Sequence, residues 1–139
     1  MAGYSGTPLV KKLGIKPGAN IVFVNAPPDY ASELDLPSDV TVNSRSGKPL
    51  DFAQLFVKSE KELKTKFSVY ANRLNASGML WVSWPKKTSR VPTDITEDVI
   101  REVALPMGYV DIKVCAISEI WSGLKLVIRK SERTKPGTV

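Results

Sequence analysis

Three apolar runs each break into polar residues, and those breaks hold the side chains most able to bind a ligand. Ile21–Val24 gives way to Asn25 and Asp29, and Phe52–Val57 to Lys58 and Ser59. The run from Met79 leads to Trp84, Lys86 and Lys87, with Thr93 at the next helix start. Lysines beside helix N-termini suit a phosphate or carboxylate, because the first amides of a helix point outward and its dipole is positive there. A small anionic ligand is the binding expectation for this set. The plainer reading makes Ser59 and Thr93 or Asp94 ordinary caps and lets the lysines hydrate the rim. Pro27-Pro28 stands where a glycine turn would let the backbone approach a phosphate, and it removes two N–H donors and fixes two φ angles.

Acid–base chemistry is poorly provided for. The chain has no histidine, the commonest proton carrier at neutral pH. Its one cysteine, Cys115, lies mid-strand between Val114 and Ala116 with no base to activate it, and reads as a small buried hydrophobe. The carboxylates fall on caps and helix faces without converging. No catalytic residue, cofactor or metal ion is expected.

A length of 139 residues implies one domain. Residues 1–130 are assigned to it, and 131–139 to a disordered basic tail. The net charge is +6, yet the lysines and arginines are scattered and mostly lie beside acids, which describes a solvated surface. Nucleic acid ranks as the least favoured partner, since aromatic and basic residues are not interleaved on any one element. A protein partner stays open, as does the oligomeric state. No apolar run nears the roughly 20 residues that span a bilayer, and the first residues lack a secretory pattern. A cytoplasmic protein without membrane contact is expected.

The elements that must position these residues follow from local signals. Thr7-Pro8 opens a short helix to Leu13, ended by Gly14. Strand one is Ile21–Val24, a short helix covers Tyr30–Leu36, and Val40–Val42 is a second strand. After the polar loop Ser44–Pro49 comes strand three, Phe52–Val57. Ser59-Glu60-Lys61-Glu62 is a capping box, in which serine caps an amide and glutamate reaches back. Leu63, Phe67, Tyr70, Ala71 and Leu74 then recur at helical spacing, up to a C-terminal cap at Asn75–Gly78. Met79–Trp84 is a strand buried on both faces, with Trp81 and Trp84 on opposite sides; Trp84 either packs in the core or roofs a pocket. A helix from Thr93–Glu97 to Leu105 precedes strands Val110–Ile117 and Gly123–Arg129. The link between those two strands is too short for a parallel crossover, so they pair antiparallel. The alternation predicts a three-layer Rossmann-like α/β fold with a mostly parallel six-stranded sheet in the order 2-1-3-4-6-5. Strand 6 is antiparallel and helices cover both faces.

Two resemblances attach to these residues. Leu13-Gly14-Ile15-Lys16-Pro17-Gly18-Ala19-Asn20-Ile21-Val22 is similar to the approach to the first strand of class I S-adenosylmethionine-dependent methyltransferases. The segments Asp51–Val57 and Gly78–Val82, with the two-strand finish, resemble the later half of that fold. In that family a glycine motif after strand one holds the methionine end of the cofactor, and an acid ending strand two holds its ribose. Here Asn25-Ala26-Pro27-Pro28 and Asn43-Ser44 occupy those places. Tyr4–Leu9, Lys11–Ile15, Trp84-Pro85-Lys86, Thr93–Asp98 and Trp121–Lys125 resemble, more specifically, a small bacterial family termed domain of unknown function 3052, which implies no activity. The resulting expectation is a non-catalytic binding or regulatory domain. A methyltransferase-like enzyme is the alternative, and a nucleic-acid-binding protein the second.

Overall fold

The computed structural model describes residues 8–43 and 47–130. The Tyr4-Ser5-Gly6 stretch, Thr7 as a cap, the Ser44–Ser46 part of the polar loop and the basic tail 131–139 lie outside the described residues. In chain order the elements are α1 (Leu9–Leu13), β1 (Asn20–Val24), α2 (Tyr30–Glu33), β2 (Thr41–Val42) and β3 (Leu50–Phe56). They continue with α3 (Glu60–Ala71), β4 (Leu74–Pro85), α4 (Glu97–Ala104), β5 (Tyr109–Ala116) and β6 (Trp121–Ile128). Short 3₁₀ turns occupy Lys87–Ser89 and Leu105–Met107.

The six strands form one sheet in the order β2-β1-β3-β4-β6-β5. β2, β1, β3 and β4 pair in parallel, and β6 runs antiparallel to both β4 and β5. The predicted order and direction are therefore those observed. The β2–β3 link is short because it has little distance to cover. β2 pairs only with the start of β1, Asn20 with Thr41 and Ile21 with Val42, and β3 begins at that same level. The chain has only to pass the foot of β1, not to return along a full strand.

The sheet is buried on both faces because its central strands are apolar on both. On one face Val22, Val24, Leu55, Leu80 and Val82 meet Leu63 and Phe67 of α3 and Ile100 and Ala104 of α4. On the other, Ile21, Phe23, Phe52, Phe56 and Trp81 meet Val10 and Leu13 of α1, with Tyr30 and Leu34 around α2. The Trp81 indole N–H donates to the Leu13 carbonyl at 3.0 Å, locking α1 to the sheet. Trp84 points to the opposite face, as its odd spacing from Trp81 requires, and is 8% exposed there. It packs in the core.

Two boundaries move. α3 ends at Ala71, and Leu74 through Gly78, predicted as helix end and cap, already belong to β4. Leu74 pairs with Leu50, and the ladder shifts register before resuming at Phe52 and Met79. Asn75 supports this start by donating its amide to Asp51 Oδ1. Gly78 serves close strand approach, since a Cβ there would lie 2.8 Å from Leu74 Cγ and 3.1 Å from two β3 carbonyls. α4 is capped by Thr96, whose hydroxyl accepts from the Val99 amide, and not by Thr93 or Asp94. No helix among the described residues is long and apolar enough to cross a membrane.

Candidate functional site

In open α/β sheets the ligand crevice lies beyond the carboxyl ends of the strands, where the strand order reverses. Here that point falls between β1 and β3. Asn25 follows β1 with φ +59°, and Asp29 heads α2 with φ +65°; both adopt the left-handed conformation that asparagine and aspartate tolerate. After β3, the Ser59 hydroxyl caps α3 by accepting from the Glu62 amide at 3.1 Å. The Glu62 carboxylate reaches back one residue further than a standard box, accepting from the Lys58 amide at 2.9 Å. Its other oxygen accepts from Asn25 Nδ2 at 3.2 Å and so joins the two strand ends.

The loop before α4 is tied to the same rim. Thr93 Oγ1 donates to the Lys58 carbonyl at 2.7 Å and accepts from the Ile95 amide. Asp94 accepts from the Glu60 amide at 2.7 Å. Asn25, Lys58, Ser59 and Thr93 are thus brought together. Trp84 packs in the core, and Lys87 lies in the 3₁₀ turn after β4. The Lys86 amide donates to the Ile120 carbonyl in the β5–β6 turn. Glu62 is the binding-capable residue that the sequence reading passed over. Its signal was present in the capping box but was read as purely structural.

Beneath the crevice runs a second feature with no sequence signal. Tyr30 Oη donates to Gln54 Oε1 at 2.9 Å, and Gln54 Nε2 donates to Ser83 Oγ at 3.0 Å. Gln54 and Ser83 are fully buried, a costly placement that this chain of hydrogen bonds offsets. The Tyr30 ring meets Phe23 and Phe56 edge-on, with centroids 5.3 and 4.9 Å away. Burial pushes its phenol well above the usual range. Cys115 is partly buried against the same face, and burial raises its thiol.

Pro27 and Pro28 have no N–H, and the Tyr30 and Glu33 amides are used within the loop, on the Pro27 and Asp29 carbonyls. At the end of β2, Asn43 Oδ1 accepts from the Phe23 amide at 3.0 Å, so that side chain is spent on the sheet.

The fold is that of class I methyltransferases. An S-adenosylmethionine-dependent methyltransferase from Aquifex aeolicus aligns with TM-score 0.62 at 16% identity, over 86% of this chain and 87% of that one. A B. subtilis M1A22 tRNA methyltransferase aligns at 0.56 and 12%, over 92% and 68%. Aeropyrum pernix fibrillarin, with natively bound S-adenosyl-L-methionine, aligns at 0.57 and 10%, over 91% and 71%. Identities this low show the fold alone. No family model matches the chain, and no curated protein does.

These neighbours correct the expected partners. The small anionic ligand or protein partner, with nucleic acid and membrane set aside, gives way before structures that hold S-adenosylmethionine or S-adenosylhomocysteine. Lysines near helix ends point to an anion, but at this rim Lys58 stands beside the Glu62 carboxylate that Asn25 binds.

Proposed function

We propose that the chain is an S-adenosylmethionine-dependent methyltransferase-like protein whose cofactor seat is the crevice between the carboxyl ends of β1 and β3. In place of a glycine loop, the Asp29 and Glu62 carboxylates would accept from the cofactor's amino group and ribose hydroxyls, and the Asn25 carboxamide would donate to its carboxylate. The observation that carries this reading is the reversal of strand order at that point, with Asn25 and Glu62 joined across it. When bound, the cofactor supplies an electrophilic methyl group. The protein's own task is to hold and orient, and transfer to a positioned acceptor gains mainly from proximity, so the lack of histidine is no obstacle. Lys58, Ser59 and Thr93 fix the β3 side of the seat.

A second reading, a binding or regulatory domain that keeps the fold without transferring a methyl group, is favoured by the Pro27-Pro28 bend and the engaged Asn43 amide. Kinship with the domain of unknown function 3052 family, proposed on Trp84-Pro85-Lys86 and Trp121-Ser122-Gly123, is compatible with both. Calorimetry with S-adenosylmethionine and S-adenosylhomocysteine separates them. Binding tighter than the millimolar range, weakened about tenfold (about 1.4 kcal/mol) by Asn25→Ala and by Glu62→Gln, supports the first. No binding heat supports the second. Binding that both variants leave untouched overturns the seat.

A further inference from the structure

The fold gathers lysines that the sequence keeps far apart. Lys113 and Lys125 stand directly opposite each other across the antiparallel β5–β6 pair. Lys113 Nζ donates to the Lys12 carbonyl at 3.0 Å, which draws β5 against α1. The Lys125 ammonium lies beside Gly14 and Met79, 3.4 Å from the position a Cβ on Gly14 would take. Lys16 follows two residues later on the same turn. Next to it a cavity of about 320 Å³ opens at the amino ends of the strands, lined by Gly14, Lys16, Asp51 and Met79 among others. This is the end of the sheet away from the β1–β3 crevice.

Like charges directly opposite on neighbouring strands destabilise a sheet. Among the described residues no acid forms an ion pair with Lys16, Lys113 or Lys125. Asp51, on the cavity wall, has both carboxylate oxygens engaged, by the Asn20 amide and by the Asn75 side chain. Burial and the charges of Lys113 and Lys16 together lower the pKa of Lys125. A counter-charge from another molecule would offset the repulsion. Its shape is constrained too: Lys125 is partly buried beside a recess, which a phosphate on a flexible chain can enter and a flat bilayer surface cannot.

We propose that Lys16, Lys113 and Lys125 form a docking surface for the phosphodiester backbone of single-stranded nucleic acid. The surface stands independently of methyl transfer, because it lies on the other side of the sheet's length and uses none of the crevice residues. Fluorescence anisotropy with a labelled oligouridylate tests it across a salt series. Single strands lose about 0.7 in the slope of log affinity against log salt per phosphate neutralised, so three contacts predict roughly twentyfold weaker binding from about 50 to 200 mM salt. The double variant Lys16→Gln/Lys113→Gln lowers that slope by about 1.4. The same charge change on α3, Lys61→Gln/Lys66→Gln, leaves it unaltered. Lys113→Gln alone should also raise the melting temperature while weakening binding, which a purely structural lysine would not do. Equal weakening by the α3 variant, or no binding at the lowest salt, overturns the surface. Binding to phosphatidylglycerol vesicles with the same dependence on Lys16 and Lys113 overturns the nucleic-acid assignment.

Discussion

Tyr30 ties α2 to the centre of the sheet. Its ring packs edge-on against Phe23 and Phe56, and its hydroxyl is the donor that satisfies Gln54 Oε1. Tyr30→Phe keeps the ring and leaves a buried carboxamide oxygen without its donor, which costs about 1–3 kcal/mol. Urea denaturation should show that loss with little change in the slope of the transition; an unchanged midpoint would mean that Gln54 finds another partner. Tyr109 makes the matching point on the α3 and α4 face. It is 3% exposed, donates to the Ala71 carbonyl at 3.1 Å, and burial pushes its phenol from 10.0 up to about 12. In alkali the unfolded chain therefore releases these protons before the folded one does. The stability held by the buried neutral phenols is whole below pH 10 and falls as pH climbs from 10 toward about 12. Thermal unfolding followed across that range should show the decline, and Tyr109→Phe should flatten it. A decline equally steep in the variant would assign the effect to other groups.

At the scale of elements, α3 shows what was legible and what was not. Its start was plain, because Ser59 and Glu62 announce a cap by type and spacing. Ser59→Ala removes the acceptor for the Glu62 amide and should cost about 1 kcal/mol, readable as a lower unfolding midpoint. The end of α3 was not legible. Leu74 continues the helical spacing of Leu63, Phe67 and Tyr70, but it serves equally well as the first residue of a strand. What decides is the pairing of Leu74 with Leu50 and the bond from Asn75 to Asp51, contacts between segments that local spacing cannot reveal. Thr93 misled in the opposite way. A threonine before an acid resembles a cap, yet its hydroxyl ties the loop to Lys58, and Thr96 caps the helix instead.

For the whole molecule, strand order followed from the sequence because few arrangements satisfy right-handed crossovers with one antiparallel finish. Both faces of the sheet were equally readable, since the Ile21–Val24, Phe52–Phe56 and Met79–Trp84 runs are mostly apolar on both. The sites were harder. Asn25, Lys58, Ser59 and Thr93 were placed at one rim from topology alone, while the Glu62 bridge and the Tyr30–Gln54–Ser83 chain depend on distances no single segment encodes. The lysine surface was hidden for the same reason. Residues 16, 113 and 125 look scattered along the chain, and only the closure of α1 over β5 and β6 concentrates their charge.

Asn43 carries one last consequence. β2 is two residues long, so β1 outruns it, and the Asn43 carboxamide supplies the next rung by accepting from the Phe23 amide. A single side chain thus seals the open margin of the sheet, the place where exposed strands template fibrils. Replacing Asn43 with alanine should leave an unmatched donor there, and thioflavin fluorescence during gentle heating should rise sooner than in the parent protein. If the two curves coincide, something other than this amide guards the margin.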